Sequence, residues 1–302
     1  MCDNNHKYMK IIDTTTYFEE KMMMELRFNI LSPFVDKFIV CEARYSHSGK
    51  EKDIKFNKND FPEFENKITH LVVDKEPNNI VKKNNLTTSE LRLNSIYRIQ
   101  EQRNYIRNAL KDFSNDDYII YSDNDEIPDL SKIDFKSNKA RVIIFKQKLF
   151  YYKFNLAYPK VDWFGSKSCK IKDLKNISWL RNIKNKKYNF FRFDTLFSEM
   201  KYIDLKIIQE GGWHFTNLKT PEELLRKYLN DEMHSEFESK NDDLKAIEFK
   251  IKNKFINYDH LLDANSSNEK KQNNRFELTK VNLDILPNYI LNNLEKYKSW
   301  ID

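Results

Sequence analysis

Three carboxylates fall within four residues, Asp123-Asn124-Asp125-Glu126, and Pro128 closes the turn that holds them. Carboxylates packed this closely repel one another unless something positive sits among them. A hard divalent cation meets that need, and Mg²⁺ or Mn²⁺ held through one or two carboxylates commonly also holds a phosphate. A solvated acidic turn is the plainer alternative, because an isolated Asp-x-Asp is a weak signal. The preceding run, Tyr118-Ile119-Ile120-Tyr121, consists of β-formers without polar alternation and predicts a buried strand. The carboxylates then stand just past its carboxyl end, where open α/β sheets place ligands.

Other residues could serve the same site. Arg103 occupies a helical stripe position between Ile96, Ile99, Ile106, Leu110 and Phe113. It is either the partner of a phosphate or carboxylate beside the acidic turn or an arginine snorkelling at a helix margin. Gly211-Gly212-Trp213-His214-Phe215 joins an indole suited to stacking on a sugar to an imidazole suited to a metal or a proton transfer. Only four glycines occur, at 49, 165, 211 and 212, where average usage gives about 7% or roughly twenty. Those that remain mark sites where the backbone needs φ > 0 or a close approach. Ser46-His47-Ser48-Gly49-Lys50 is a small polar loop in which Gly49 and Lys50 could hold a phosphate, although P-loop spacing is missing. His234 is as consistent with a surface position as with a site.

The elements that must position these residues follow from periodicity. Tyr8 to Asp13, Asp36 to Cys41, Ile68 to Val73 and Tyr118 to Ser122 read as strands. A helix carries Phe18, Met22, Leu26 and Ile30, and a second spans about 90–113. The second half begins with a strand at Val142 to Phe145, continues through an aromatic-rich stretch and has a strand-like Tyr202 to Ile208. Thr220-Pro221-Glu222-Glu223 opens a helix with a capping Thr and Pro at its first position. Alternating strands and helices predict an α/β nucleotide-binding fold with a mixed central sheet flanked by helices. The tail from Asn241 reads as helical and polar, and Asn265 to Asn274 as a low-complexity linker.

Composition narrows the class. The chain has 302 residues, 40% apolar, with 22 Phe and 16 Tyr, so a sizeable core is available. A net charge of +6 suits an anionic small ligand, but no basic block resembles a nucleic-acid arm. Three cysteines without CxxC spacing argue against a disulfide framework or zinc site. With no apolar leader and no run of about 18 apolar residues, a cytoplasmic protein without a membrane span is expected. The absence of Gly-x-Gly-x-x-Gly and Gly-x-Ser-x-Gly argues against a dinucleotide site and a serine hydrolase.

Six motifs occur in order: Asp13…Phe18-x-Glu20…Glu25-x-Arg27, Phe38-Ile39-Val40-x-Glu42-Ala43, His47-Ser48-Gly49-Lys50, Gln102-Arg103-Asn104, Ser122-Asp123-Asn124-Asp125-Glu126-Ile127-Pro128 and Gly211-Gly212-Trp213-His214-Phe215. Together they resemble glycosyltransferase family 17, over roughly residues 8 to 240. The resemblance implies a GT-A-like nucleotide-sugar fold over 1–240; residues 241–302, which it does not reach, are expected to form a helical C-terminal extension packed on that domain. It implies inverting transfer of a sugar, N-acetylglucosamine in the family's bisecting enzyme, from a UDP-sugar to a carbohydrate acceptor. Asp123 and Asp125 would be its Asp-x-Asp motif, binding Mn²⁺ or Mg²⁺ with His214 as a third ligand. Arg103 would lie near the nucleotide, and Glu42 would hydrogen-bond the uridine. Animal members carry a membrane anchor and a lumenal stem, and neither is expected here.

Inversion also needs a base for the acceptor hydroxyl. Glu210, Asp162, Asp194 and Glu236 are candidates, and Glu210 is preferred because it adjoins the glycine loop. Two other functions use the same residues, a metal-dependent phosphohydrolase or nuclease and a non-catalytic sugar-binding relative.

Overall fold

A computed structural model of the chain describes residues 8–186, 188, 197–202, 204–232, 234, 243–258, 260 and 274–302. The first half is a parallel sheet with helices on both faces. Strands β1 (Ile11–Tyr17), β2 (Lys37–Ala43), β3 (Ile68–Val73) and β4 (Tyr118–Ser122) lie in the order β3-β2-β1-β4. β4 is buried along its whole length, as expected where a strand is covered on both sides. Its alternate residues serve two cores: Tyr118 and Ile120 pack with Phe28 and Phe38, whereas Ile119 and Tyr121 pack with Ile106 and Trp179. Helix α1 (Lys21–Leu31) covers the first face through Met24, Leu26, Phe28 and Leu31. Helix α2 (Thr88–Tyr105) covers the other, starting from a reciprocal Thr87–Glu90 capping box. It ends earlier than its apolar stripe predicts, tightening into a 3₁₀ turn at Ile106–Ala109.

The second half makes the sheet mixed. β8 (Trp163–Lys170) runs antiparallel to β4, and β6 (Val142–Tyr151) antiparallel to β8. On its other side β6 pairs first with β9 (Leu205–Ile208) and then with β10 (Gly212–Thr216), both parallel. β10 also pairs antiparallel with β5 (Glu126–Pro128), the strand that leaves the acidic turn. The short helix α3 (Ile177–Asn182) sits against β8 and β4. Helix α4 (Pro221–Tyr228) starts from the expected Thr220 cap, completed by Glu223.

Beyond residue 240 the chain is helical only in part. Helix α5 (Leu244–Lys252) is followed by the β11–β12 pair (Phe255–Ile256, Phe276–Glu277), and β13 (Thr279–Lys280) extends the main sheet through β7 (Leu156–Ala157). Helix α6 (Asn288–Leu291) and Tyr297 pack on α1, where Glu25 accepts hydrogen bonds from the Tyr289 and Tyr297 hydroxyls. Residues 265–273 of the expected linker lie outside the described residues. Among the described residues no helix is long and apolar enough to cross a membrane.

Candidate active site

The carboxyl ends of β1 and β4 open onto a cavity of about 810 Å³. The acidic turn forms part of its wall, with Arg103, Trp163, Arg181, His214 and Lys227 beside it.

The three carboxylates have different environments. Asp123 is engaged at both oxygens: Tyr121 Oη and Arg103 Nη2 donate to Oδ1 at 2.8 and 3.0 Å, and Arg181 Nη2 donates to Oδ2 at 2.8 Å. Burial would raise its pKa, but the two guanidiniums outweigh that and hold it well below the carboxylate range. Glu126 is buried and accepts from Arg181 Nη2 at 2.9 Å, Trp163 Nε1 at 2.7 Å and the Asp123 backbone N–H at 3.0 Å. Burial and the neighbouring Asp123 nonetheless leave its pKa raised, against the pull of Arg181. Asp125 is the least encumbered, with His214 Nε2 at 3.3 Å from Oδ1 as its side-chain neighbour. Burial pushes its pKa up and His214 brings it down, with a net lowering.

His214 reaches Asp125 because β10 is a strand rather than a loop. Side chains alternate along it, so His214 faces the cavity while Trp213 points away, its Nε1 donating to the Ile285 carbonyl at 2.7 Å. The indole is therefore part of the core side and does not line the cavity. The adjoining glycines bring backbone close to backbone, not to a ligand. Gly212 has φ of +126°, and a Cβ there would lie 2.2 Å from the Ile127 carbonyl oxygen of β5. His214 is buried, lies against Trp163 at 4.6 Å between ring centroids with the rings tilted by 38°, and has a buried Nδ1 with no hydrogen-bond partner among the described residues.

Gly165 is needed for a different reason. A Cβ at that position would stand 2.4 Å from Glu126 Cδ and 2.5 Å from Gln147 Oε1. Glu126 has no room to retreat, being tied to Arg181, Trp163 and the turn backbone. Gly165→Ala is expected to cost about 1–3 kcal/mol of stability, the usual penalty of overpacking. Thermal denaturation measures this, and an unchanged midpoint would contradict the fixed position of Glu126.

Several residues singled out in the sequence stand apart from the cavity or are already paired within it. Asp123 belongs to the arginine cluster, so it leaves Asp125 and His214 as the donors still open to a cation. Among the described residues no three His, Cys, Asp or Glu side chains form a metal-holding group. Glu42 is fully buried and accepts from Lys52 Nζ at 2.5 Å and from the N–H groups of Lys55 and Phe56, each at 2.9 Å. It anchors the chain after β2 and does not line the cavity. Lys50 is exposed and Gly49 packs on the Arg98 guanidinium, so neither meets the cavity. His47 and Lys52 line it instead. Glu210 is an exposed residue with φ of +49° in the turn between β9 and β10, and Asp162 is exposed and paired with Lys146. Neither lines the cavity; Asp194 and Glu236 lie outside the described residues.

The sequence reading missed Arg181, Lys227 and Asp231. Arg181 projects from α3, whose Trp179-Leu180-Arg181-Asn182 carries no motif. Its backbone carbonyl accepts from Lys167 Nζ at 2.8 Å, and burial presses that amine's pKa down to about 7. Trp163 had a signal, since it lies two residues before one of the four glycines.

Comparison with known proteins covers the first five of the six motifs and stops short of Gly211–Phe215. The family model of Glycosyltransferase family 17 matches residues 2–184. No curated protein matches the chain. Among solved structures, HddC from Yersinia pseudotuberculosis is 9% identical, covering 67% of this chain and 92% of its own at a TM-score of 0.31. The same protein complexed with GMP-PN is 9% identical, covering 66% and 90% at 0.30. Likeness at that level carries no weight on function. The family match spans more than half of the chain and includes the acidic turn, Arg103 and Arg181, and the chain belongs to glycosyltransferase family 17.

Proposed function

We propose that the protein is an inverting glycosyltransferase of GT-A-like fold that moves N-acetylglucosamine from UDP-N-acetylglucosamine to a carbohydrate acceptor. The observation that carries this reading is the Asp125–His214 pair, open to the cavity at the end of β4 and backed by cationic side chains. Two donors do not cage a cation alone. They fit one that shares its shell with phosphate oxygens, as Mg²⁺ and Mn²⁺ commonly do. Asp125 and His214 would hold that ion, which offsets the charge developing on the leaving diphosphate. Arg181 and Lys227 add fixed positive charge in the same cavity. Asp123 and Glu126 keep Arg181 in place.

The base role moves from Glu210 to Asp231. Of the acidic side chains lining the cavity, Glu20 is paired with Lys219, Glu232 with Arg92, and Asp123 and Glu126 with Arg181. Asp231 has His47 Nδ1 at 3.7 Å from Oδ1, which also accepts from the Glu232 N–H at 2.7 Å. Its carboxylate would take the proton of the acceptor hydroxyl as that oxygen bonds to the anomeric carbon and the bond to the diphosphate breaks. The buried thiols Cys41 and Cys169 support a reducing, cytoplasmic setting.

The test is release of UDP from UDP-N-acetylglucosamine, with Mn²⁺ and with EDTA. Metal-dependent release is expected, and turnover of another nucleotide sugar in its place would refute the donor. Asp231→Asn is expected to lower the rate about 10²–10⁴-fold, the range for a lost general base. A rate near that of the unaltered protein would remove Asp231 from the mechanism.

A further inference from the structure

We infer that the acceptor docks on an aromatic subsite to which Asn257, Tyr258 and His260, beyond the family-matched part of the chain, contribute the outer wall. The inference rests on the glycosyltransferase reading and names the acceptor's place within it. Trp163 contacts His214 on one side and reaches the His260 ring at 5.9 Å on the other. His260 in turn meets the Tyr258 ring at 4.7 Å and the Tyr151 hydroxyl at 2.5 Å. A continuous run of rings therefore leads from the Asp125–His214 pair to the C-terminal segment, and all of these residues line the cavity.

Two observations give this end a ligand chemistry. Tyr258, His260 and Trp163 are only half-buried, so ring surface faces the cavity. Ring faces of this kind suit the C–H surface of a pyranose, whose hydroxyls then project to polar groups at the rim. Asn257 supplies such a group. Its Nδ2 donates to the Asn274 carbonyl at 3.3 Å, while its buried Oδ1 has no hydrogen-bond partner among the described residues. A buried acceptor without a donor is costly, and a sugar hydroxyl would satisfy it.

Topology separates this subsite from the nucleotide. In the sheet order β2-β1-β4-β8-β6, the acidic turn at the end of β4 lies between two groups of cavity residues. Tyr17, Tyr45, Gln102 and Arg103 belong to the parallel half, whose strand ends suit a nucleotide. Tyr151, Trp163, Asn257 and Tyr258 belong to the other side. The diphosphate position falls between them, as transfer from donor to acceptor requires.

The experiment uses the full chain and methyl glycosides of glucose, galactose, mannose and N-acetylglucosamine, observed by saturation-transfer NMR. Hydrolysis of UDP-N-acetylglucosamine with Mn²⁺ is followed in parallel. At least one glycoside is expected to receive saturation at its ring C–H protons. Tyr258→Ala and Asn257→Ala are each expected to weaken that binding by roughly tenfold, the worth of one stacked ring or one buried hydrogen bond. Hydrolysis is expected to persist in both, which also reports that they fold. Failure of every glycoside to bind, or binding unaltered in both variants, overturns the subsite. Glycoside binding that depends on Tyr258, without hydrolysis of any nucleotide sugar, would instead sink the transferase reading and leave a sugar-binding site.

Discussion

Asp125→Ala is expected to lower sugar transfer by about 10²–10³-fold, the loss seen when one preorganised stabiliser of transition-state charge is removed. Its fold should survive, because the Asp125 side chain has His214 as its neighbour and no buried arginine depends on it. Asp123 predicts the opposite pattern. Removing that carboxylate leaves Arg103 with the Tyr121 hydroxyl and Arg181 with Glu126 as a remaining carboxylate, and a buried positive charge short of compensation is destabilising. The two substitutions, two residues apart in one motif, should therefore separate catalysis from stability. Thermal denaturation with and without Mn²⁺ plus UDP provides the second readout. A ligand that binds the folded state raises the midpoint by an amount that grows with the logarithm of 1 + [L]/Kd, so the shift seen in the unaltered protein should vanish in Asp125→Ala. If Asp125→Ala keeps both its activity and its metal-dependent shift, the assignment of the open pair is wrong.

What the sequence revealed was local in the chain. The β4 strand and its acidic turn were legible because burial on both faces demands a continuous apolar run, and because the carboxylates follow within a few residues. The scarcity of glycine was informative too, since it drew notice to 165, 211 and 212, each of which proves sterically obligatory. Arg181 was not legible, because it meets Asp123 across 58 residues and sits on a two-turn helix without a pattern. Glu210 shows that nearness along the chain is not nearness in space, since it adjoins the glycines yet does not line the cavity. A turn with positive φ leaves it exposed, whereas the alternation of β10 sends His214, four residues on, into the cavity. Glu42 misled for a related reason. A carboxylate at a strand end resembles a ligand contact, yet here the following backbone folds over and satisfies it.

Arg27→Met is expected to destabilise the protein by about 3–5 kcal/mol, the cost of leaving one member of a buried ion pair alone. Arg27 and Asp13 are both essentially inaccessible to solvent. The guanidinium donates to both Asp13 oxygens at 2.6 Å, and its remaining Nη1 donates to the Glu126 carbonyl at 2.8 Å. α1 and β1 thus grip the backbone of the acidic turn from beneath, while α3 grips its side chains through Arg181. This gives a physical reason for the spacing of Asp13 and Arg27 ahead of the turn, 14 residues apart across β1 and α1. A double variant, Asp13→Leu with Arg27→Met, separates charge from grip. Replacing both charges with apolar side chains should restore most of the stability, but the Glu126 carbonyl stays without its donor and the turn loses its anchor. Transfer should therefore remain impaired in the double variant even where its denaturation midpoint recovers. Full recovery of transfer would mean that the pair acts on stability alone and that Arg181 suffices to hold the turn.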